Sequence, residues 1–125
     1  MRVLVADDQK SVGTSLAELV AQCDHHVVQV VGSGLEAIQA YARHQPDVVV
    51  MDYRMPRLNG ATACRYILAN DPRARIILIS GWASQHLSDL GALAVLEKPV
   101  TLGQLRIALD SAQQSREPAQ SRASS

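Results

Sequence analysis

Hydrophobic positions along this chain fall into two alternating patterns. Unbroken apolar runs such as Val3-Leu4-Val5-Ala6, Val48-Val49-Val50-Met51 and Ile76-Ile77-Leu78-Ile79 are separated by segments in which apolar residues recur every three or four positions. The runs predict strands at about 3–6, 27–31, 48–51, 75–79 and 93–96. They are continuous rather than alternating, as strands become when both faces of their sheet are covered. Between the first two, Val12, Leu16, Leu19 and Val20 form one helical stripe. Ser33-Gly34-Leu35-Glu36 has the form of a capping box and opens a second helix, predicted to turn Leu35, Ile38 and Ala42 inward. Asn59 is placed to cap a third, with Cys64, Ile67 and Leu68 on its buried side, and Asp71-Pro72 ends it. Residues 84–90 have room for a fourth helix of about two turns. Thr101-Leu102-Gly103-Gln104 is a second capping box, opening a last helix with Leu102, Leu105, Leu109 and Ala112 on one face. Strands alternating with helices predict an α/β fold, a five-stranded parallel sheet with helices on both faces.

Composition narrows the field without redirecting it. The 125 residues suit one domain, 47% are hydrophobic and 19% charged, and aromatics are scarce with no Phe, so the core is built from Val, Leu, Ile and Ala. A formal net charge of zero gives no electrostatic reason to expect direct nucleic acid or membrane binding. No run approaches a bilayer span, and the first strand leaves no room for a signal peptide, so a cytoplasmic protein is expected. Cys23 and Cys64 are expected as free thiols. Cys23-Asp24-His25-His26 lacks an evident fourth ligand for a metal and reads better as a turn. From residue 116 the composition turns to Ser, Arg, Gln, Ala and Pro. Residues 1–115 are therefore read as the domain and 116–125 as a flexible tail or linker.

The chemistry lies where the runs end. Parallel strands would bring Asp7, Asp8, Asp52, Ser80 and Lys98 to one edge of the sheet, where open α/β folds bind ligands. Three converging carboxylates repel one another unless a cation lies among them, and Mg²⁺ suits an all-oxygen site of this kind. A carboxylate beside Mg²⁺ can act as a nucleophile toward phosphorus. Lys98 and Ser80 then offer a positive charge and a hydroxyl to the phosphoryl oxygens.

These motifs resemble those of the response-regulator receiver domains of bacterial two-component systems. They are Asp7-Asp8, the segment from Asp52-Tyr53-Arg54-Met55-Pro56 to Asn59-Gly60, Ser80-Gly81, and Gly91-Ala92 leading to Lys98-Pro99. The resemblance implies a flavodoxin-like (βα)5 fold with Asp52 as phosphorylation site. It implies Mg²⁺ held by Asp8 and Asp52, by Asp7 through water and by the Arg54 carbonyl. It also implies Ser80 as phosphoryl contact and switch, Lys98 as partner of the phosphoryl group, and a cis Lys98-Pro99 bond. The implied partners are a histidine kinase or phosphotransfer protein as donor and an output partner or effector domain; a monomer or weak dimer is expected.

Three positions depart from the family pattern. Val95 stands where receivers usually carry a switching aromatic residue. Ser80 and Lys98 are 18 positions apart, which shortens the fourth helix. Arg54 and Trp82 each lie two residues past a site residue. There they either shield the phosphoryl group from water or, for Arg54, are simply solvated. Trp82 is expected to change surroundings as its loop closes, taking the coupling role that Val95 cannot. A constitutive interaction module that keeps the fold without using phosphate is the alternative function. An aspartate-nucleophile phosphatase is disfavoured because Arg54, at the second position after Asp52, cannot be a general acid. A flavin-binding relative is disfavoured because Asp7-Asp8 would repel the flavin phosphate.

Overall fold

The structure, a computed structural model, describes residues 1–81 and 90–116. Five strands, β1 (Arg2–Ala6), β2 (His26–Val31), β3 (Val48–Asp52), β4 (Ile76–Ser80) and β5 (Ala94–Glu97), form one sheet in the order β2-β1-β3-β4-β5. Every pairing is parallel. Four helices are present among the described residues: α1 (Lys10–Gln22), α2 (Gly34–His44), α3 (Gly60–Asn70) and α4 (Leu102–Arg116). The helix expected at 84–90 and the residue Trp82 lie outside the described residues, apart from Leu90, which packs on the core.

The sheet divides the core in two. Val3, Val5, Val48, Val50, Ile77 and Ile79 face α1 and α4. Leu4, Ala6, Val49, Met51, Ile76 and Leu78 face α2 and α3. Each central strand thus buries successive residues on opposite faces, which is why its sequence reads as an unbroken apolar run.

The local stop and start signals act as their chemistry dictates. Ser33 Oγ accepts from the Glu36 amide at 3.1 Å, and its own proton goes to Glu36 Oε1 at 3.0 Å rather than to a backbone group. Asn59 caps α3 through the Thr62 amide, 2.9 Å. The Thr101 box is reciprocal: Gln104 N donates to Thr101 Oγ1 at 3.2 Å and Thr101 N to Gln104 Oε1 at 3.1 Å.

The inward face expected for α2 is corrected. Its buried residues are Gly34, Ala37 and Ala40; Leu35 is 41% exposed, Ala42 is exposed and Ile38 only half-buried. The helix lies too close to the loop after β3 for large side chains. Gly34 N donates to Leu58 O at 3.0 Å, and a Cβ at Gly34 would sit 2.0 Å from that oxygen. On α3, Ala63, Cys64 and Ile67 are buried and Leu68 is half-buried. On α4, Leu105, Ala108, Leu109 and Ala112 form the buried face, with Leu102 at its margin.

Three arginines close helix C-termini from other elements, using guanidinium donors on carbonyls that no intrahelical amide reaches. Arg2, at the start of β1, donates to His44 O at 2.7 Å and Gln45 O at 3.3 Å beyond α2. Arg75, just before β4, donates to Ser115 Oγ at 2.8 Å and Ser115 O at 3.0 Å in α4. Arg106 reaches Gln22 O of α1 at 3.4 Å. Both cysteines are free and buried, on opposite sides of the sheet. Among the described residues, no metal-ligating group forms around Cys23 and His25; His25 Nδ1 instead pairs with the Met1 amine at 2.8 Å.

Gly34→Ala is expected to destabilise the fold by about 2 kcal/mol or more, because its methyl group meets backbone that cannot rotate away. Gly103→Ala, where a Cβ meets nothing within 4 Å, should be neutral or stabilising by up to about 1 kcal/mol. Urea unfolding of both variants checks the pair of signs.

Candidate functional site

The site is assembled at the C-terminal edge of three adjacent strands and completed from a fourth. Asp7 follows β1 directly. Its amide continues the pairing with β2 by donating to Val31 O at 2.9 Å, which carries the side chain into the sheet edge. Its Oδ1 accepts from the Gln9 amide at 2.9 Å, a short turn of the kind Asp favours. Asp8 is exposed beside it. Asp52 is the last residue of β3 and is held by Tyr53 N donating to Ile79 O at 2.8 Å. The three carboxylates each present an oxygen within 4.8 Å of the others.

Lys98 arrives from the far side. Its amide donates to Ser80 O at 2.8 Å, extending the β4–β5 pairing, and the Lys98-Pro99 peptide bond is cis. Its Nζ lies 3.2 Å from Asp52 Oδ1 and 3.8 Å from Asp7 Oδ2. Ser80, buried at the end of β4, stands on the adjoining strand at the same edge. Arg54 is exposed on the loop after β3, and its amide hydrogen-bonds the Asp52 carboxylate. Val95 lies two residues inside the edge, paired with Leu78 and packed against the core on the α2–α3 side. The sequence-predicted acids and the lysine are therefore brought together, Ser80 and Arg54 border them, and Val95 sits below. Trp82 is outside the described residues.

The electrostatics are strained. Asp7 and Asp52 are 2% and 4% exposed. Burial raises the Asp7 pKa above the ordinary 3.8; the Gln9 amide and Lys98 oppose this, while Asp52 and Asp8 add to it. Burial likewise raises Asp52, against the pull of Lys98. Asp7 Oδ2 is fully buried and has no hydrogen-bond partner. A buried acceptor left in that condition costs about 1–3 kcal/mol. One ammonium cannot neutralise three carboxylates, and this all-oxygen donor set is of the kind that could hold a divalent cation.

One residue of the quoted motifs, given no role of its own by the sequence, is packed directly against the site. A Cβ on Gly60 would lie 2.3 Å from Asp52 O and 2.9 Å from Tyr53 Cα, while Gly60 N donates to Tyr53 O at 2.7 Å. The start of α3 is pressed against the backbone of the central acid. The sequence signals were its place in the Asn59-Gly60 motif and a glycine directly after a helix cap, where side chains are normally tolerated.

Residues 3–110 match the response regulator receiver domain family. The chain belongs to that family. The receiver is 34% identical to the transcriptional regulatory protein PdtaR of Mycobacterium tuberculosis, over 87% of this chain and 55% of that protein, so it spans about half the length of that relative. It is 34% identical to the chemotaxis protein CheY of Listeria monocytogenes, over 68% of this chain and 71% of that one. Among solved structures, a receiver domain from Clostridium thermocellum superposes with a TM-score of 0.85 at 27% identity, covering 90% of this chain and 94% of that one. This is a signalling domain of two-component systems carrying an acidic cluster that can hold a metal. No helix among its described residues is long and apolar enough to cross a membrane.

The raised carboxylates give the metal-free receiver a definite pH response. The folded chain holds protons on Asp7 and Asp52 that the unfolded chain releases, so stability falls with rising pH. Their favourable contribution is complete below the ordinary value of 3.8 and is lost as pH climbs through the raised folded-state values. In EDTA, Asp7→Asn should therefore be more stable than the parent at pH 7, and the advantage should shrink as pH falls toward 4. Urea titrations across that range measure it. A variant less stable than the parent at pH 7 would mean that Asp7 is held by compensating contacts.

Proposed function

We propose that this receiver is a phosphoacceptor switch, with Asp52 taking a phosphoryl group from a histidine kinase or phosphotransfer protein in the cytoplasm. The observation that carries this reading is the buried Asp52 carboxylate with one ammonium at 3.2 Å and two more carboxylates within 4.8 Å. Asp7, Asp8, Asp52 and the Arg54 carbonyl are the groups that would hold Mg²⁺. When bound, the cation offsets the acids and draws charge from the phosphoryl oxygens. An Asp52 oxygen forms the new bond to phosphorus as the bond to the donor's imidazole nitrogen breaks, the nitrogen keeping the electron pair. Lys98, released from Asp52, pairs with a phosphoryl oxygen, and Ser80 donates its hydroxyl to another. The domain is signalling machinery that acts only on its own phosphorylation state.

We take residues 1–115 as the receiver and 116–125 as a linker or tail, and the domain as a monomer or weak dimer that passes its state to a partner or effector. Arg54 and Trp82 are read as flanking the mouth of the site. Val95, with no ring to rotate, favours the second reading of a constitutive interaction module, and phosphorylation chemistry separates the two.

Incubation with acetyl phosphate and Mg²⁺ should add one phosphoryl mass to the intact protein, lost in Asp52→Asn and in excess EDTA. Undiminished labelling of Asp52→Asn would overturn the assignment, and no labelling at all would favour the constitutive module. Lys98→Ala should bind Mg²⁺ equally or more tightly, because a competing cation has left an acidic site, yet respond poorly to phosphorylation. Loss of metal binding in that variant, measured by titration calorimetry, would make Lys98 a structural support instead.

A further inference from the structure

The turn between β2 and α2 carries no acid of the site, yet it is bonded to both segments that do. At one end Val31 O accepts from the Asp7 amide at 2.9 Å. At the other, Gly34 N donates to Leu58 O at 3.0 Å, on the loop that follows Asp52. Only Gly32 and Ser33 separate the two bonds. Ser33 is buried and its hydroxyl is engaged twice with Glu36, while a Cβ at Gly32 would lie 4.0 Å from Asp7 O. The turn is a short, enclosed link from the end of β1 to the loop after β3.

From Leu58 the path to Asp52 runs through backbone. The Arg54 amide hydrogen-bonds the Asp52 carboxylate, and the Arg54 carbonyl is among the groups proposed to hold Mg²⁺. Met55, next in the chain, is buried in the core on the α2–α3 side of the sheet. The chain then turns tightly, Leu58 N donating to Pro56 O at 2.7 Å, and closes on itself where Gly60 N meets Tyr53 O at 2.7 Å. Within this turn Arg57 has a φ of 68°, a left-handed conformation that a side chain disfavours. Such a conformation persists where surrounding contacts fix the chain. Gly34 is a contact of that kind, approaching so closely that a Cβ on it would sit 2.0 Å from Leu58 O.

We propose, on the reading of the three acids as a Mg²⁺ site, that the Val31–Gly34 turn is a positioning strap for that site. It fixes the gap between the Asp7 segment and the loop that carries Arg54. Gly34 touches no reacting atom and acts through Leu58. Because the gap is set by two backbone bonds, metal and strap hold each other. Mg²⁺ bound between the segments resists opening of the Gly34–Leu58 bond by the same factor that an opened bond weakens the metal. A strap that served the fold alone would lack this reciprocity.

Amide hydrogen exchange of the parent protein, in Mg²⁺ and in EDTA, tests the first direction. Saturating Mg²⁺ should slow exchange at Gly34 about tenfold more than at Gln45, whose amide donates to Tyr41 O at the other end of α2. Titration calorimetry with Mg²⁺ tests the second, using Gly34→Ala, whose methyl group forces Leu58 away, and Ala40→Gly, a buried position further along the same helix. Gly34→Ala should bind Mg²⁺ about tenfold more weakly than the parent, and its Arg54 and Met55 amide resonances should shift without metal. Ala40→Gly should bind as the parent does. Amide spectra verify that each variant is folded; should Gly34→Ala not fold, the exchange result decides. Equal slowing at Gly34 and Gln45, or unchanged affinity in folded Gly34→Ala, would overturn the strap and leave the metal site standing. So would an equal loss of affinity in Ala40→Gly, which would mark a general effect of stability. A parent protein that binds no Mg²⁺ would overturn both the strap and the site it rests on.

Discussion

Two carboxylates at the ends of β1 and β3 are enclosed almost completely, and a single ammonium serves both. Burial in the low-dielectric edge of the sheet favours the protonated acids, while Lys98 at 3.2 Å from Asp52 favours the charged ones. The balance exists only because parallel pairing sets the strand ends side by side. Three long-range backbone hydrogen bonds hold it: the Asp7 amide on Val31, the Tyr53 amide on Ile79, and the Lys98 amide on Ser80. The site is a consequence of sheet register, and the three central strands β1, β3 and β4 are the most completely buried part of the sheet.

Backbone rather than side chains ties the neighbouring helices to this edge. The loop after Asp52 is gripped twice, by Gly34 on Leu58 O and by Gly60 on Tyr53 O, and neither contact has room for a methyl group. The starts of the two helices on one side of the sheet are therefore both tied to the loop that follows the central acid. Family membership accounts for the acids and the lysine; the distribution of small residues on α2 accounts for how that side is packed.

Much of this was legible in the sequence, for physical reasons. The strands were readable because central strands with two covered faces leave unbroken apolar runs, and all five fall within a residue or so of their expected places. The caps at Ser33, Asn59 and Thr101 were readable because each partner lies three residues away. The inward face of α2 was misread in part: hydrophobicity points to Leu35, Ile38 and Ala42, of which only Ile38 packs against the core, whereas close approach to Leu58 selects Gly34, Ala37 and Ala40. The arginine contacts at helix ends were not legible, since Arg2 and Arg75 find partners some forty positions away. At the site, the convergence of Asp7, Asp8, Asp52 and Lys98 followed from topology, while the lack of a hydrogen bond to Asp7 Oδ2 required coordinates.

The contact between Arg75 and Ser115 has a mechanical meaning. The α4 helix begins four residues after Lys98 and runs for 15 residues, about 22 Å at the usual rise, so it crosses the domain from the acidic edge to the opposite one. Its far end is anchored by a guanidinium, while its near end follows the loop that carries Lys98. Any displacement of that loop would then be expressed as a pivot about Ser115 rather than as a sliding of the whole rod. Whatever is attached beyond this helix would sense a change of tilt while its own point of attachment stayed still.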